Sequence, residues 1–209
     1  MSMANSRITL TLYAAEGDLR SHWLRLVIAE KRIAANIVDV PVDELPEDVL
    51  ALNPYGTLPV LVDRDVCLYD PRVAMEYLDE RFPQPPLMPV APGEKAKLRQ
   101  LANRVEREWC GAAEIMLTRG KSTEGATARK HLRDSLIAVS PVFNELPFFM
   151  SQEMTLVDCL LAPVLWHLPR FALDLPEKPC RGLLKYRSRI LSRPSFQQSL
   201  KVTALGSGA

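Results

Sequence analysis

The stretch Phe82-Pro83-Gln84-Pro85-Pro86-Leu87-Met88-Pro89-Val90-Ala91-Pro92-Gly93 divides the chain into two unlike parts. Each of its five prolines lacks a backbone N–H and fixes φ, so neither a helix interior nor a central strand survives there. The segment reads as a stiff connection and a domain boundary. Before it, strand and helix signals alternate. Ile8 to Tyr13 is a strand by its period of two, and Ser21 is placed to cap a helix reaching about Arg32. Asn36 to Val40 is a second strand, and Pro46 opens a short helix ending near Asn53-Pro54. Thr57 to Val62 and Cys67 to Tyr69 flank the turn Asp63-Arg64-Asp65, and Pro71 starts a helix to about Arg81. The order β-α-β-α-β-β-α suits a small sheet of mixed direction.

After the prolines the period is helical. Leu98, Leu101, Val105, Trp109, Ala112 and Met116 predict one stripe of a single long helix. Arg119 to Gly125 reads as a loop, and Ala126 to Val139 as the next helix. Thr155-Leu156-Val157-Asp158 has the spacing of a capping box, opening an apolar helix to His167 that Pro163 should bend. Gly182 to Leu191 is another helix, Ser195 to Lys201 a short turn, and the tail Gly206 to Ala209 is expected to fray. The predicted organisation is an α/β domain over 1–87, a linker over 88–93 and an all-helical domain over 94–209. Trp23, Trp109, Trp166, His22 and His167 read as packing residues, and Cys110 and Cys159 as buried thiols.

The chain has 209 residues, 47% hydrophobic and 24% charged, which suits a folded protein and not a disordered one. No apolar run approaches the roughly 20 residues of a membrane helix, and Met1 to Leu10 lacks the apolar stretch of a signal peptide. The four cysteines form no CxxC pair and the three histidines no cluster, so neither a metal site nor a disulfide framework is expected and a reducing cytoplasm fits. The net charge of +1 excludes a protein that finds nucleic acid by bulk charge. That total conceals an asymmetry. Residues 1–93 carry 8 Lys+Arg against 14 Asp+Glu, and residues 94–209 carry 18 against 11.

Two such units joined by a proline-rich segment resemble the glutathione S-transferase fold, a thioredoxin-like domain followed by a helical one. The supporting motifs are Arg25 to Lys31, Asn53-Pro54-Tyr55-Gly56-Thr57-Leu58-Pro59-Val60-Leu61, and Thr155 with Asp158. The resemblance implies a cis-proline at Pro59, which leaves the backbone of Leu58 free to pair with a peptide ligand. Glutathione-dependent relatives place an acid and a serine before the third helix, and that serine holds the glutamyl carboxylate. Here the pair is Asp70-Pro71, and proline supplies neither the N–H nor the hydroxyl. Cysteine-type relatives carry their nucleophile where Asp18 stands, and a carboxylate there repels a thiolate. Tyr13 and Ser21 are the remaining catalytic candidates, with packing and helix capping as their ordinary roles. Asp18, Leu58, Asp70 and Pro71 are thus read as a degenerate glutathione site, with no catalytic residue and no cofactor expected.

Within that fold, Glu76 to Pro89, Pro59-Val60-Leu61-Val62-Asp63-Arg64, Leu156-Val157-Asp158-Cys159, Leu161-Ala162-Pro163 and Ser21-His22 resemble the stringent starvation protein A family. The resemblance implies a non-catalytic, cytoplasmic homodimer, formed mainly through the third and fourth helices. It implies binding to RNA polymerase holoenzyme at its sigma factor, redirection of transcription under stress, and promoter DNA met only inside that complex. Its functional pocket centres on a Pro-His-Pro motif, corresponding here to Pro83-Gln84-Pro85 with Pro86 beside it. Gln84 keeps hydrogen-bonding capacity but cannot titrate near pH 6.5. Asp43, Glu44, Glu47, Asp48, Asp79 and Glu80 are candidate steering charges, with a solvated face as the plain reading. Lys178, Arg181, Lys185, Arg187, Arg189, Arg193 and Lys201 form a basic run that suits DNA, an acidic polymerase surface or an ordinary helix face. The competing reading is a glutathione-dependent transferase or isomerase.

Overall fold

A four-stranded mixed sheet in the order β2-β1-β3-β4 organises the N-terminal part. β1 is Leu10–Ala14, β2 Asn36–Asp39, β3 Val60–Asp63 and β4 Val66–Leu68. β1 runs parallel to β2, pairing Leu12 with Ile37, and antiparallel to β3, pairing Leu12 with Leu61. The parallel pair requires a crossover, which α1 (Leu19–Glu30) supplies. α2 is Glu47–Leu52 and α3 Pro71–Arg81. The computed structural model describes residues 10–41 and 44–200, so Ile8, Thr9, Asp43, Lys201 and the tail lie outside the described residues. The described chain divides into two compact units, residues 10–84 with 198–200 and residues 85–197.

α1 begins at Leu19, two residues before the expected cap. Asp18 is the N-cap: its Oδ2 accepts from Ser21 N at 2.7 Å. The Ser21 hydroxyl turns inward and accepts from Ala15 N at 3.0 Å, so it ties the helix to the end of β1 instead. Trp23, Leu24, Leu26 and Val27 are fully buried.

The second unit is helical: α4 Pro92–Val105, α5 Gly111–Arg119, α6 Thr123–Val139, α7 Leu156–Trp166, α8 Arg181–Leu191 and α9 Pro194–Ser199, the last running past its edge. α4 starts inside the proline-rich segment, with Pro92 in its first turn, where a missing N–H costs nothing. The single long helix expected beyond it is interrupted. A π-helical turn over Glu106–Cys110 separates α4 from α5. Of the expected stripe, Val105, Trp109, Ala112 and Met116 are buried through and beyond the turn, while Leu98 and Leu101, one to two helical turns before it, are only half-buried. α6 starts at Thr123 rather than 126, because Ser122 accepts from Gly125 N at 3.1 Å. Gly125 is needed there: a Cβ would lie 2.4 Å from Arg119 O.

Asp158 has no exposed surface and organises this unit. Its Oδ1 accepts from Phe149 N at 3.0 Å and Tyr186 Oη at 2.7 Å, and its Oδ2 from Thr155 N at 2.8 Å and Thr155 Oγ1 at 3.1 Å. Around it, Phe143 stacks on Phe149 at 4.8 Å and tilts against Tyr186 at 4.8 Å. Trp109 is buried, its Nε1 donating to Ser135 Oγ at 2.8 Å, whereas Trp166, expected in the core, is 39% exposed. Cys110, Cys159 and Cys180 are buried and in no disulfide among the described residues. Among the described residues no helix is long and apolar enough to cross a membrane, and no group of His, Cys, Asp and Glu could hold a metal.

His167 is buried between Trp166 and Phe171, and burial, with the charge of Arg170, lowers its pKa to about 4. A depressed histidine stabilises the fold above its unfolded pKa of about 6.5, and the contribution is lost as pH falls towards 4. The urea midpoint of the wild type should therefore drop between pH 7 and pH 5. His167→Leu should show a shallower drop over the same interval.

Candidate functional site

The exposed residues Pro83, Gln84, Pro85 and Pro86 lie between two anchored residues. In the first unit, Lys31 Nζ donates to Phe82 O at 2.7 Å and pairs with Asp79 Oδ1 at 2.6 Å. The Lys31 side chain is fully buried, and the Arg81 guanidinium lies over the Phe82 ring at 5.3 Å. In the second unit, Leu87 is buried and its carbonyl accepts from Leu156 N at 2.9 Å, satisfying a donor at the start of α7. Proline fixes φ, so Pro83, Pro85 and Pro86 stiffen the chain locally.

The second unit also holds an open cavity of about 530 Å³. Its apolar lining includes Leu98, Leu101, Met150 and Met154, with Val90 at 91% and Met150 at 58% exposure. Of the four candidates from the sequence, only Pro86 lines it. The helical period places Leu98 and Leu101 in a core stripe, and nothing in the sequence marks Met150, whose φ of +55° is an unusual backbone. The Glu94–Lys97 pair, 2.9 Å apart, belongs to the same lining.

At the start of α3, Asp70 is the N-cap. Its Oδ1 accepts from Arg72 N at 2.9 Å and Val73 N at 3.0 Å, Pro71 has no N–H, and Ala74 N bonds to Asp70 O at 2.9 Å. The donors that a helix N-terminus offers to an anion are thus taken by the chain's own carboxylate. The Leu58–Pro59 peptide is cis. The loop before it is braced by Asn53, whose Nδ2 donates to Thr57 O at 2.7 Å and whose Oδ1 accepts from Tyr55 N at 3.0 Å. Asp18 is engaged as the α1 cap, Ser21 is fully buried, and Tyr13 is half-buried in β1.

The charged candidates separate. Glu44, Glu47, Asp48 and Glu80 are exposed, while Asp79 is buried in its ion pair and leaves the steering set. In the basic run, Arg187 Nε donates to Leu165 O at 2.8 Å, Arg189 Nη1 donates to Pro147 O, and Arg193 lies over the Phe148 ring at 5.6 Å. These three side chains tie α8 and the turn after it to neighbouring backbone and to an aromatic ring. Lys178, Arg181 and Lys185 are exposed.

Two family models match, the glutathione S-transferase N-terminal domain over residues 20–86 and the C-terminal domain over 111–194. A stringent starvation protein A homolog of Pasteurella multocida is 43% identical over 97% of this chain and 95% of its own length. A second homolog of that name, from Coxiella burnetii, is 43% identical over 93% and 92%. The chain belongs to the stringent starvation protein A family. Among solved structures, a glutathione S-transferase of Methylobacillus flagellatus with GSH bound has a TM-score of 0.79 and 25% identity, covering 92% of this chain and 100% of that one. The stringent starvation protein A family is thus built on the glutathione S-transferase fold, and the mixed sheet followed by helices is that fold. Gln84 is exposed.

Proposed function

We propose that this chain is a non-catalytic, cytoplasmic, RNA polymerase-associated regulator that contacts the sigma factor of the holoenzyme through Pro83, Gln84, Pro85 and Pro86. The observation that carries the reading is the exposure of these four residues between a residue held by Lys31 and a residue held by α7. The exposed acids Glu44, Glu47, Asp48 and Glu80 suit steering towards a basic sigma surface. Immobilised wild-type protein should retain holoenzyme, and the variant Pro83→Ala/Gln84→Ala/Pro85→Ala should lose most of that retention. Equal retention by the two proteins removes the assignment.

The non-catalytic half of the proposal rests on the occupied N-terminus of α3 and on buried Ser21. Losing the donors to the glutamyl carboxylate costs about 1–3 kcal/mol for each hydrogen bond. Calorimetry should show no saturable heat with glutathione up to about 1 mM. Saturation below that concentration would support the competing reading of a glutathione-dependent transferase or isomerase, which the cis Leu58–Pro59 loop favours.

Self-association belongs to the same proposal. In the first unit Leu50, Tyr55, Tyr69 and Val73 are exposed, at 43%, 73%, 41% and 52%, and the rings of Tyr55 and Tyr69 meet at 5.6 Å. Exposed aromatic and aliphatic side chains of this kind suit a partner surface.

A further inference from the structure

A second concavity in the helical unit, about 490 Å³, lies apart from the proline segment. It is bounded by the end of α5, the turn Gly120-Lys121-Ser122, α6, and the residues after α7. Four cations line it, namely Arg119, Lys121, Arg129 and Arg170, and no carboxylate does. Arg119 is paired, its Nη1 lying 2.7 Å from Glu124 Oε2. Lys121, Arg129 and Arg170 have no ion-pair partner among the described residues. Arg129 carries a further mark: its Nε is buried and donates to nothing among the described residues. Met116, Leu117 and Phe171 supply an apolar part of the lining.

We infer that this concavity is a binding site for a small anion carrying two or more phosphoryl groups. Three cations without an ion-pair partner among the described residues match the charge of a diphosphate, and guanidinium groups suit phosphate oxygens because their planar donors bind in pairs. The volume lies in the range of small-molecule sites, roughly 300–1,000 Å³. The apolar lining from Met116, Leu117 and Phe171 gives the body of a phosphate ester something to rest on, which free pyrophosphate would not use.

Two probes test this by calorimetry on the full chain at moderate salt, inorganic pyrophosphate and ADP. Saturable binding of either, weakened at least tenfold by Arg129→Gln and by Arg170→Gln, supports the site. Tighter binding of ADP assigns it to an ester, and tighter binding of pyrophosphate to the free anion. Lys130→Gln is the control, since it removes one charge from the neighbouring, exposed position of α6 outside the lining. Arg129→Gln removes the unpaired N–H and should melt no lower than the wild type. Should it unfold, Arg170→Gln, at an exposed position, carries the test alone. The inference is overturned if neither probe saturates below about 10 mM. It is equally overturned if Lys130→Gln weakens binding as much as the two lining variants.

Discussion

Replacing Asp158 by alanine is expected to remove most of the folding stability of the helical unit. The carboxylate is fully buried and accepts from Phe149 N, Thr155 N, Thr155 Oγ1 and Tyr186 Oη. Alanine leaves these donors buried without an acceptor, at about 1–3 kcal/mol each, and opens the α7 cap as well. Several such losses rival the whole stability of a domain, about 5–15 kcal/mol. Urea denaturation followed by far-UV circular dichroism should therefore show a midpoint lowered severalfold, or no folded baseline. Tyr186→Phe isolates one bond and should cost about 1–2 kcal/mol. It carries a pH signature too. Burial raises the Tyr186 phenol well above its ordinary value of 10, helped by the neighbouring Asp158. An acid whose folded pKa is raised keeps its proton better in the native state, so its contribution is intact below the unfolded pKa and is lost as pH rises beyond it. The stability of the wild type should fall more steeply above pH 10 than that of Tyr186→Phe. Parallel curves would mean that the phenol is not confined as described.

The cap at Asp158 was legible in the sequence because its chemistry is local: Thr155 and Asp158 are three residues apart at the head of an apolar run. The same locality explains the order of strands and helices. What escaped is what depends on distant parts of the chain or on a broken period. The π-turn over Glu106–Cys110 has no compositional signature. Leu98 and Leu101 continue the apolar period of the buried Val105, Trp109, Ala112 and Met116, and they line a cavity instead because the residues facing them, Met150 and Met154, lie about 50 residues away in sequence. Asp18 and Ser21 are both good capping residues. The choice between them was made by the end of β1, where Ala15 N needs the Ser21 hydroxyl. Arg187 and Arg189 looked like a free basic face because their acceptors, Leu165 O and Pro147 O, lie 22 and 42 residues away in sequence. Asp79 looked like a surface acid for the same reason, since its partner Lys31 stands at the end of α1, 48 residues earlier.

That pair sets the second large expectation, in which stability and the proposed partner surface are joined. Lys31 Nζ holds both Asp79 Oδ1 and Phe82 O, and the two side chains are 0% and 9% exposed. Lys31→Met keeps the length of the stem but takes the ammonium away from the buried Asp79 carboxylate. Breaking a buried pair from one side costs about 3–5 kcal/mol, because a charge is left without compensation. Asp79→Leu in the same background removes that charge, and the double variant should recover most of the loss, since buried pairs replaced by apolar residues are often neutral. Equal midpoints for Lys31→Met and the double variant would show that the pair is not the source of the cost. Polymerase retention should behave differently. The double variant restores the fold but not the ammonium that fixes Phe82 O, so the residues after Phe82 gain freedom and a partner must pay to order them. A stable double variant with weakened retention would therefore place Lys31 among the positioning residues of the Pro83-Gln84-Pro85 surface. Full retention would confine its role to stability.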